Sequence, residues 1–465
     1  MLRADHCPKS APLLLNRNHG LALEQPVTRW FHSKSPLGSL MGKKRLLYIA
    51  AWIPGSSGGG TEARAANHIR VLSELFDVVL AIVGDHGSEV QVYERLATDV
   101  IRACVSVVVI SRTSAITRLL RRIHRPRARM LFEALWPIPP QFEPYGPALA
   151  ELGRRLAGQR FDVVHCFRLN TGLLPLLKWH GTSFSRSVLD LDSYESQAEF
   201  RSISTFRTLI GNGLSFESWL TAAKWWVLES LFIPSFDDGV VCSEFDWRRL
   251  CRRFPRTRWH VVPNIAPEQL EFNAIKGEQF TFLFVGQLGY LPNWDAVLFF
   301  CTDVLPVLRR EAPGGFRVLI VGRAGGDVDR LTAIEELRVV VDAPDLRPYY
   351  AQSDAVIVPL RGGGGTRVKI LEAFSYGLPV VCTTVGAEGL DVTPGSDILI
   401  GDGAEAFAYQ CLRVWTDDLL RRRIAAAGHD LWRRKYSLAA LVTALNTVYR
   451  ENETADNGGE LNTAL

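Results

Sequence analysis

Residues 354–381 read DAVIVPLRGGGGTRVKILEAFSYGLPVV, and this stretch decides the fold class. It starts with an apolar run, passes through four consecutive glycines, continues with helical spacing and ends in a second apolar run. A buried strand, a turn, a helix and another buried strand are typical of a parallel α/β sheet. We expect Thr366 to be the N-cap of the helix and Gly377 to end it.

The four glycines need an explanation, because a packed core does not require them. In a strand-to-helix turn, free backbone N–H groups and the positive end of the helix attract phosphate. The loop is neither a G-x4-G-K-[ST] nucleotide loop nor a G-x-G-x-x-G fingerprint, so a nicotinamide dinucleotide is poorly supported. A phosphate-bearing ligand is therefore predicted, with a flexible surface turn as the alternative.

The same alternation of apolar runs and amphipathic stretches covers most of the chain, and it restarts after a boundary near 263–277. This pattern predicts an α/β protein with two doubly wound domains and a helical segment over 404–450. The predicted strands are 45–52, 77–84, 106–110, 161–167, 186–193 and 237–244 in the first half, and 280–289, 316–325, 337–344, 354–360, 378–384 and 397–401 in the second.

Composition narrows the class of protein. The chain has 465 residues, 47% hydrophobic and 22% charged, which is typical of a soluble protein of two or three domains. A net charge of +4 is too weak to indicate nucleic acid as a partner. Eight cysteines without a CxxC pair favour a reduced cytoplasmic protein without structural zinc. We find no apolar run near the roughly 18 residues that span a membrane.

The N-terminus lacks any periodic pattern. Residues 1–40 are rich in Pro, His, Asn and Ser, and Met41 directly precedes the first predicted strand. We therefore expect 1–40 to be a disordered or non-native extension.

Several segments together resemble a known family. In the second half they are VVPNI (261–265), VGQLGYLPNWDAVLFF (285–300) and LRPYYAQSDAVIVPLRGGGGTRVKILEAFSYGLPVVCTTVGAEGL (346–390). In the first half they are weaker: 48–81, FDVVHCF (161–167) and VVCSEFD (240–246). The chain resembles the glycosyl transferases group 1 family, retaining nucleotide-sugar enzymes of the glycosyltransferase family 4 type with the GT-B fold. The most specific element is the glycine loop followed by K-x-x-E-A and G-x-P-V-V.

The resemblance implies a domain plan in which two Rossmann-like domains face a cleft. An acceptor-binding domain would cover 41–262, a nucleotide-sugar-binding domain 263–430, and a C-terminal helix and tail 431–465.

The resemblance also implies roles for the residues of the donor half. Glu372 would bind the ribose hydroxyls, and Arg367 and Lys369 would be catalytic, by stabilising the charge on the leaving nucleotide. An exposed helix face is the alternative for these two cations. The other implied donor-binding residues are Gly286, Asn293, Gly362, Gly363, Gly364, Gly365 and Thr366.

Two departures from the family pattern affect the donor site. Gly364 stands where relatives often carry the first acidic residue of E-x7-E, so backbone N–H groups would replace a carboxylate. Gln287 and Asn293 stand where many relatives carry Arg and Lys. Neutralisation of the phosphates would then depend on Arg367 and Lys369.

The first domain contains a second glycine turn at 54–64, which resembles the family's first cleft-facing loop. Gly59 and Gly60 would let the reacting groups approach the backbone, with a plain turn as the alternative. His165 ends a strand at the same cleft and is a catalytic candidate, although relatives often have H-x-H where this chain has Phe167. A structural histidine is the alternative for His165.

The segment DLDS (190–193) contains a D-x-D pair. We interpret Asp190 and Asp192 as strand-end residues near the acceptor, with Asp192 in the cleft. We expect no metal site there, because retaining enzymes of this fold are usually metal-independent.

The stretch 111–130 carries seven arginines and no acidic residue. It suits an anionic membrane surface or a lipid-diphosphate acceptor, with a solvated helix as the alternative. Trp219, Trp225 and Trp226 could also touch lipid, but we expect this cluster to be core.

These observations predict a retaining glycosyltransferase that moves a hexose-type sugar from a nucleoside diphosphate sugar to a glycan or lipid-linked acceptor. We expect no cofactor, and a cytoplasmic location with peripheral attachment to the inner face of the membrane. The rivals are a GT-B-fold sugar-nucleotide epimerase and a catalytically degenerate scaffold subunit. An epimerase would need carboxylates where Gly364 and Gln287 stand.

Overall fold

The computed structural model describes residues 43–55, 60–111, 139, 145–192, 194–200, 214–269, 277–311, 315–323, 325 and 328–450. The predictions for 1–40, for Gly59 and for the basic stretch after Ser111 lie outside these residues.

The first sheet has seven parallel strands in the order β3-β2-β1-β4-β5-β6-β7. They are β1 Lys44–Ala50, β2 Phe76–Gly84, β3 Ser106–Ser111, β4 Arg160–Phe167, β5 Ser183–Leu191, β6 Asp238–Val241 and β7 Arg258–Val261. The accompanying helices are α1 Gly60–Leu75, α2 Glu89–Arg95, α3 Thr98–Ala103, α4 Tyr145–Arg155, α5 Leu174–Trp179, α6 Leu214–Phe232 and α7 Glu244–Arg253.

Alternate residues of β1 pack into two separate cores. Leu47 and Ile49 belong to one core, and Leu46 and Tyr48 belong to the other. Since successive side chains of a strand point to opposite faces, a sheet covered on both faces needs apolar residues at every position. This explains the unbroken apolar run of the sequence.

The second sheet has six parallel strands in the order β10-β9-β8-β11-β12-β13. They are β8 Phe280–Val285, β9 Phe316–Gly322, β10 Leu337–Val341, β11 Ala355–Val358, β12 Val380–Cys382 and β13 Leu399–Ile400. The accompanying helices are α8 Leu291–Phe299, α9 Leu305–Glu311, α10 Asp329–Thr332, α11 Arg347–Ala351, α12 Val368–Ser375, α13 Thr384–Ala387, α14 Ala404–Thr416 and α15 Asp418–Lys435. A separate core fills this half.

Each sheet changes direction of strand order at one central pair, β1/β4 in the first and β8/β11 in the second. In open α/β sheets, ligands bind outside the carboxyl ends of the strands at such a switch point. The topology therefore marks the loops after β1, β4, β8 and β11 as the place of a site.

The last helix, α16 Leu438–Arg450, packs on the first sheet rather than forming an independent segment. Leu441, Leu445, Val448 and Tyr449 are buried in the core that also contains Leu46. The preceding helix α15 runs across the expected boundary at residue 431. The chain thus returns to its first half after completing the second.

One described stretch, Leu291–Glu311, is long and apolar enough to cross a membrane by length and composition, with a mean hydropathy of 1.2. The sequence analysis did not predict it. It comprises α8, a π-helical turn Phe300–Val304 and α9, and 61% of its apolar 18-residue window is buried inside the structure. Its apolar side chains, among them Phe300 and Leu308, lie in the core that fills the second half of the chain.

The tryptophans of α6 differ from one another. Trp225 is 6% exposed and belongs to the first half's core, as expected. Trp219 and Trp226 are 53% and 49% exposed, so the expectation of a wholly buried cluster was wrong. Consecutive residues of a helix point about 100° apart, so Trp226 turns away from the core that Trp225 enters, and Trp219, seven residues earlier, shares the exposed face of Trp226.

Candidate functional site

A cleft of about 600 Å³ lies between the carboxyl ends of the two sheets, where the two switch points face each other. Its first-domain wall includes Gly60, Thr61, Arg168, Asp192, Glu195, Ala198 and Glu199. Its second-domain wall includes Gln287, Tyr290, Pro292, Asn293 and all residues from Gly362 to Lys369.

The glycine loop takes backbone conformations that favour glycine. Gly363 and Gly365 have φ angles of 109° and 73°, in the left-handed region that other residues rarely adopt. Gly60, on the opposite wall, leaves little room for a side chain, because a Cβ atom there would lie 3.2 Å from Val368 Cγ2. The loop therefore brings bare backbone close to the other domain.

The helix after the loop begins later than predicted. Arg367 occupies the N-cap position of α12 without a side-chain cap hydrogen bond, so the expected N-cap role of Thr366 was wrong. Thr366 lies one residue too early for its hydroxyl to cap the helix, and it lines the cleft instead. The prediction for Gly377 is confirmed: it has φ 63°, and its N–H donates to the carbonyl of Phe374.

Arg367 is 7% exposed and braces the glycine loop. Its guanidinium donates to the carbonyl oxygens of Gly363 at 3.0 Å, Gly365 at 2.6 Å and Gly364. This is not the exposed helix face considered as an alternative. Arg367 holds the loop in shape and places a positive charge at the cleft.

Lys369 also lines the cleft with a largely buried side chain. Its Nζ donates to Asn293 Oδ1 at 2.8 Å and lies 4.5 Å from the centroid of the Phe284 ring. Burial, and then the charge of Arg367, lower the pKa of Lys369 to about 7. The amine is therefore poised to take up a proton when an anion enters.

Two predicted donor residues position this amine. Asn293 donates from Nδ2 to the carbonyl of Gln287 at 2.9 Å, which orients its oxygen toward Lys369. A Cβ atom on Gly286 would lie 2.9 Å from Lys369 Nζ, so glycine there leaves space for the amine. The structure thus brings Gly286, Asn293 and Lys369 together.

Glu372 follows Lys369 by one helical turn on α12. Its Oε2 accepts a hydrogen bond from the Tyr350 hydroxyl at 2.9 Å, and the Tyr350 ring stacks on Tyr376 with centroids 4.3 Å apart. Burial raises the pKa of Glu372, against the lowering effects of Tyr350 and Lys369. Sequence reasoning missed Tyr350, although it lies in a segment that carries the family resemblance.

His165 does not line the cleft, and its position favours the alternative of a structural histidine. Its side chain is fully buried: Nδ1 lies 2.5 Å from the Tyr449 hydroxyl, and its ring stacks on Tyr48 with centroids 4.5 Å apart. Burial lowers its pKa. The side chain points into the sheet's core face, where α16 covers it. Arg168, just beyond the same strand, reaches the cleft instead and was not predicted.

The two aspartates of the D-x-D pair have different environments. Asp192 lines the cleft and accepts a hydrogen bond from Thr61 Oγ1 at 2.7 Å. Asp190 is fully buried and pairs with Arg64 at 2.9 Å. Burial alone would raise the pKa of Asp190, but Arg64 and then His68 hold it well below its ordinary value.

Arg64 connects this buried aspartate to the segment between the domains. It donates to the carbonyl of Val262 and to Asn264 Oδ1, each at 2.9 Å. Ligand atoms of His68, His165 and Asp190 lie within 4.8 Å of one another. The guanidinium already provides the positive charge beside Asp190, so these three residues do not fit a metal cation.

The second domain matches the model of a known protein family. Residues 279–417 match the model of the family glycosyl transferases group 1. A curated relative from Klebsiella pneumoniae, named "Uncharacterized 44.6 kDa protein in cps region", is 26% identical over 140 residues, which are 27% of this chain and 34% of the relative. The match thus spans about a third of that relative's length.

Solved structures share the architecture of most of the chain. Sucrose-phosphate synthase from Thermosynechococcus elongatus aligns with a TM-score of 0.63 and 15% identity, over 89% of this chain and 100% of that one. HepE from Anabaena, in complex with UDP and glucose, aligns with a TM-score of 0.53 and 12% identity, over 89% and 100%. Two facing parallel sheets with this cleft define the GT-B fold. Within this fold, residues 279–417 are the part of the chain that matches the glycosyl transferases group 1 model.

Proposed function

We propose that the protein transfers a sugar from a uridine diphosphate sugar to a hydroxyl of a glycan acceptor, with retention of configuration. The observation that carries the proposal is the cleft itself, where a bare glycine loop, Arg367 and a Lys369 amine with a lowered pKa meet. HepE, which has the same fold, was solved with UDP and glucose, and this supports the choice of nucleotide.

The second domain would bind the donor. The N–H groups of the glycine loop would hold the diphosphate, as such loops do at the start of a helix. Lys369 would take up a proton beside this anion, since a neighbouring negative charge favours its charged form. Glu372, with Oε2 held by Tyr350, would accept hydrogen bonds from the ribose hydroxyls.

In the transfer step, the bond between the sugar's C1 and the diphosphate oxygen breaks, and a bond forms between C1 and the acceptor oxygen. The acceptor's proton passes to the departing diphosphate, so that charge and atoms balance. Arg367 and Lys369 would stabilise the negative charge that develops on the diphosphate. The group 1 resemblance supports retention, and no metal ion is part of the proposal.

A polysaccharide pathway would supply the acceptor. The Klebsiella relative is named for the cps region, and this supports a role in polysaccharide biosynthesis. The seven described cysteines are free thiols, which supports the proposed cytoplasmic location. Attachment to a membrane would depend on the basic stretch 112–130, which lies outside the described residues.

The rival functions are less well supported. An epimerase would need carboxylates at Gly364 and Gln287, and neither residue can supply one. A degenerate scaffold would not need the hydrogen bonds that place Lys369 and Arg367 at the cleft.

The test is calorimetric binding of UDP, GDP and ADP to the wild type, to Glu372→Ala and to Glu335→Ala, followed by donor hydrolysis without acceptor. Glu335 is an exposed carboxylate of the same domain and serves as the control. We expect UDP to bind, Glu372→Ala to lose about 10- to 100-fold in affinity and Glu335→Ala to bind normally. A folded wild type that binds no nucleotide and hydrolyses no donor would favour the scaffold.

A further inference from the structure

A side cavity of about 140 Å³ adjoins the cleft on the first-domain side. Arg168, Glu195 and Glu199 line both spaces, so the side cavity continues the cleft into the first domain. Its other walls include Trp52, Asn170 and Trp225. This volume is about a quarter of the 600 Å³ of the cleft, and it suits one small ring rather than a lipid chain.

Asn170 points to a ligand in this cavity. It is 4% exposed, and its Oδ1 has no hydrogen-bond partner among the described residues. Buried polar atoms are nearly always paired, and leaving one unpaired costs about 1–3 kcal/mol. A hydroxyl group entering the side cavity would supply the missing donor.

The charged residues that line the side cavity indicate which class of ligand it can bind. Glu195 forms an ion pair with Arg168, which offsets that cation. Glu199 is a second carboxylate beside the cavity. Among the described residues that line the side cavity, Glu195 and Glu199 thus outnumber the single cation Arg168, and this disfavours phosphate or a lipid diphosphate.

The aromatic walls fit a sugar ring. The Arg168 guanidinium lies 4.7 Å from the centroid of the Trp52 ring and fixes that indole in place. Trp225 is 6% exposed and forms a rigid wall. Pockets for small polar ligands combine such rigid apolar surfaces with a few placed polar groups, here Asn170 and Glu199.

We propose that the side cavity binds the terminal monosaccharide of a neutral glycan acceptor, with Asn170 and Glu199 forming hydrogen bonds to its hydroxyls. This inference rests on the proposed function and adds the acceptor's class to it. The acceptor sugar would sit on the first-domain side, with its reacting hydroxyl directed past Glu199 toward the glycine loop. Glu199 and Gly364 line the same cleft, which makes this path continuous.

The test uses the full chain and four neutral probes: the methyl glycosides of glucose, galactose, mannose and N-acetylglucosamine. Binding is measured by saturation-transfer NMR and by titration of tryptophan fluorescence, with and without saturating UDP. The variants are Asn170→Ala and Glu199→Gln, with Glu74→Gln as the control because Glu74 is exposed on α1. Glu199→Gln removes no volume, so it tests the site if Asn170→Ala fails to fold.

We expect at least one glycoside to bind, and both cavity variants to weaken its binding about tenfold, while Glu74→Gln does not. Glucose 6-phosphate should bind more weakly than methyl glucoside. The proposal is overturned if no probe binds the wild type, if both cavity variants bind like the wild type, or if the phosphorylated sugar binds better. UDP affinity, measured separately, reports on the donor site, so failure of the two proposals can be distinguished.

Discussion

Gly364 and Ala198 meet across the cleft: a Cβ atom on Gly364 would lie 2.9 Å from the Cβ of Ala198. This contact joins the glycine loop of the second domain to the helical residues 195–200 of the first. The resemblance noted in the sequence implies an acidic residue at the position of Gly364, but in the structure Ala198 occupies the space of such a side chain. The carboxylates of this region, Glu195 and Glu199, come from the first domain instead.

The first prediction concerns this contact. Gly364→Ala should lower the free energy of unfolding by about 1–3 kcal/mol, because overpacking forces neighbouring groups apart. Adding Ala198→Gly should restore most of the loss, and Gly146→Ala is the control, since a Cβ there meets nothing within 4 Å. Denaturant unfolding of the wild type, Gly364→Ala, Ala198→Gly and the double mutant completes the cycle and measures the coupling. A double mutant no more stable than Gly364→Ala would refute the contact.

The second prediction concerns pH. The pKa of Lys369 is lowered to about 7, so at pH 8 the free amine is mostly neutral and UDP should bind together with about one proton. At pH 6 the amine is already charged, and the uptake should nearly vanish. Calorimetry in two buffers of different ionisation enthalpy measures the proton count. Lys369→Met should show no uptake at pH 8; uptake that persists in this variant would assign the proton to another group.

The third prediction separates Glu372 from its hydrogen-bond donor. Tyr350→Phe leaves the carboxylate but removes the hydroxyl that orients Oε2, so UDP affinity should fall less than in Glu372→Ala. Because the hydroxyl only orients the carboxylate, we expect a loss of about 0.5–1.5 kcal/mol of binding free energy, or about 2- to 12-fold in affinity. Titration calorimetry with UDP measures the affinity of both variants and of the wild type. Equal losses in the two would mean that Tyr350 itself binds the nucleotide.

The fourth prediction compares two Arg–Asp pairs. Asp190→Ala should lower the free energy of unfolding by about 3–5 kcal/mol, because it leaves the buried Arg64 guanidinium without its counter-charge. Asp99→Ala should cost at most about 1 kcal/mol, since the Asp99 side chain is 59% exposed where it pairs with Arg70. Chemical denaturation measures both. Similar losses of unfolding free energy in the two variants would show that burial does not make the Arg64–Asp190 pair more important for stability than the Arg70–Asp99 pair.

The fifth prediction addresses metals. Arg64 supplies the positive charge beside Asp190, and only Asp192 of the D-x-D pair lines the cleft. We therefore expect UDP affinity and donor hydrolysis to be unchanged by EDTA and by added Mn²⁺. Activity lost with EDTA and regained with Mn²⁺ would contradict a metal-independent reaction. An Asp192→Asn variant would then test whether that carboxylate is the ligand.

The sequence predicted the fold better than the details of the site. Unbroken apolar runs such as β1 and β8 indicated parallel sheets, and the glycine loop was correctly placed between a strand and a helix. His165 was misplaced because a sequence does not show which face of a strand a side chain takes. The stretch Leu291–Glu311 was not recognised as long and apolar enough to cross a membrane, because Asp295 and Asp303 interrupt its apolar residues although its mean hydropathy reaches 1.2.

The sequence by itself determined two parallel α/β domains, the glycine loop and the cationic pair Arg367 and Lys369, because these depend on local pattern and on residue type. Tertiary structure alone decided that α16 returns to cover His165, that Tyr350 holds Glu372, and that Asn170 is left with an unpaired oxygen beside the cleft. These contacts join residues far apart in the chain. Local periodicity fixes each element, but only the packing of both domains fixes which side chains meet.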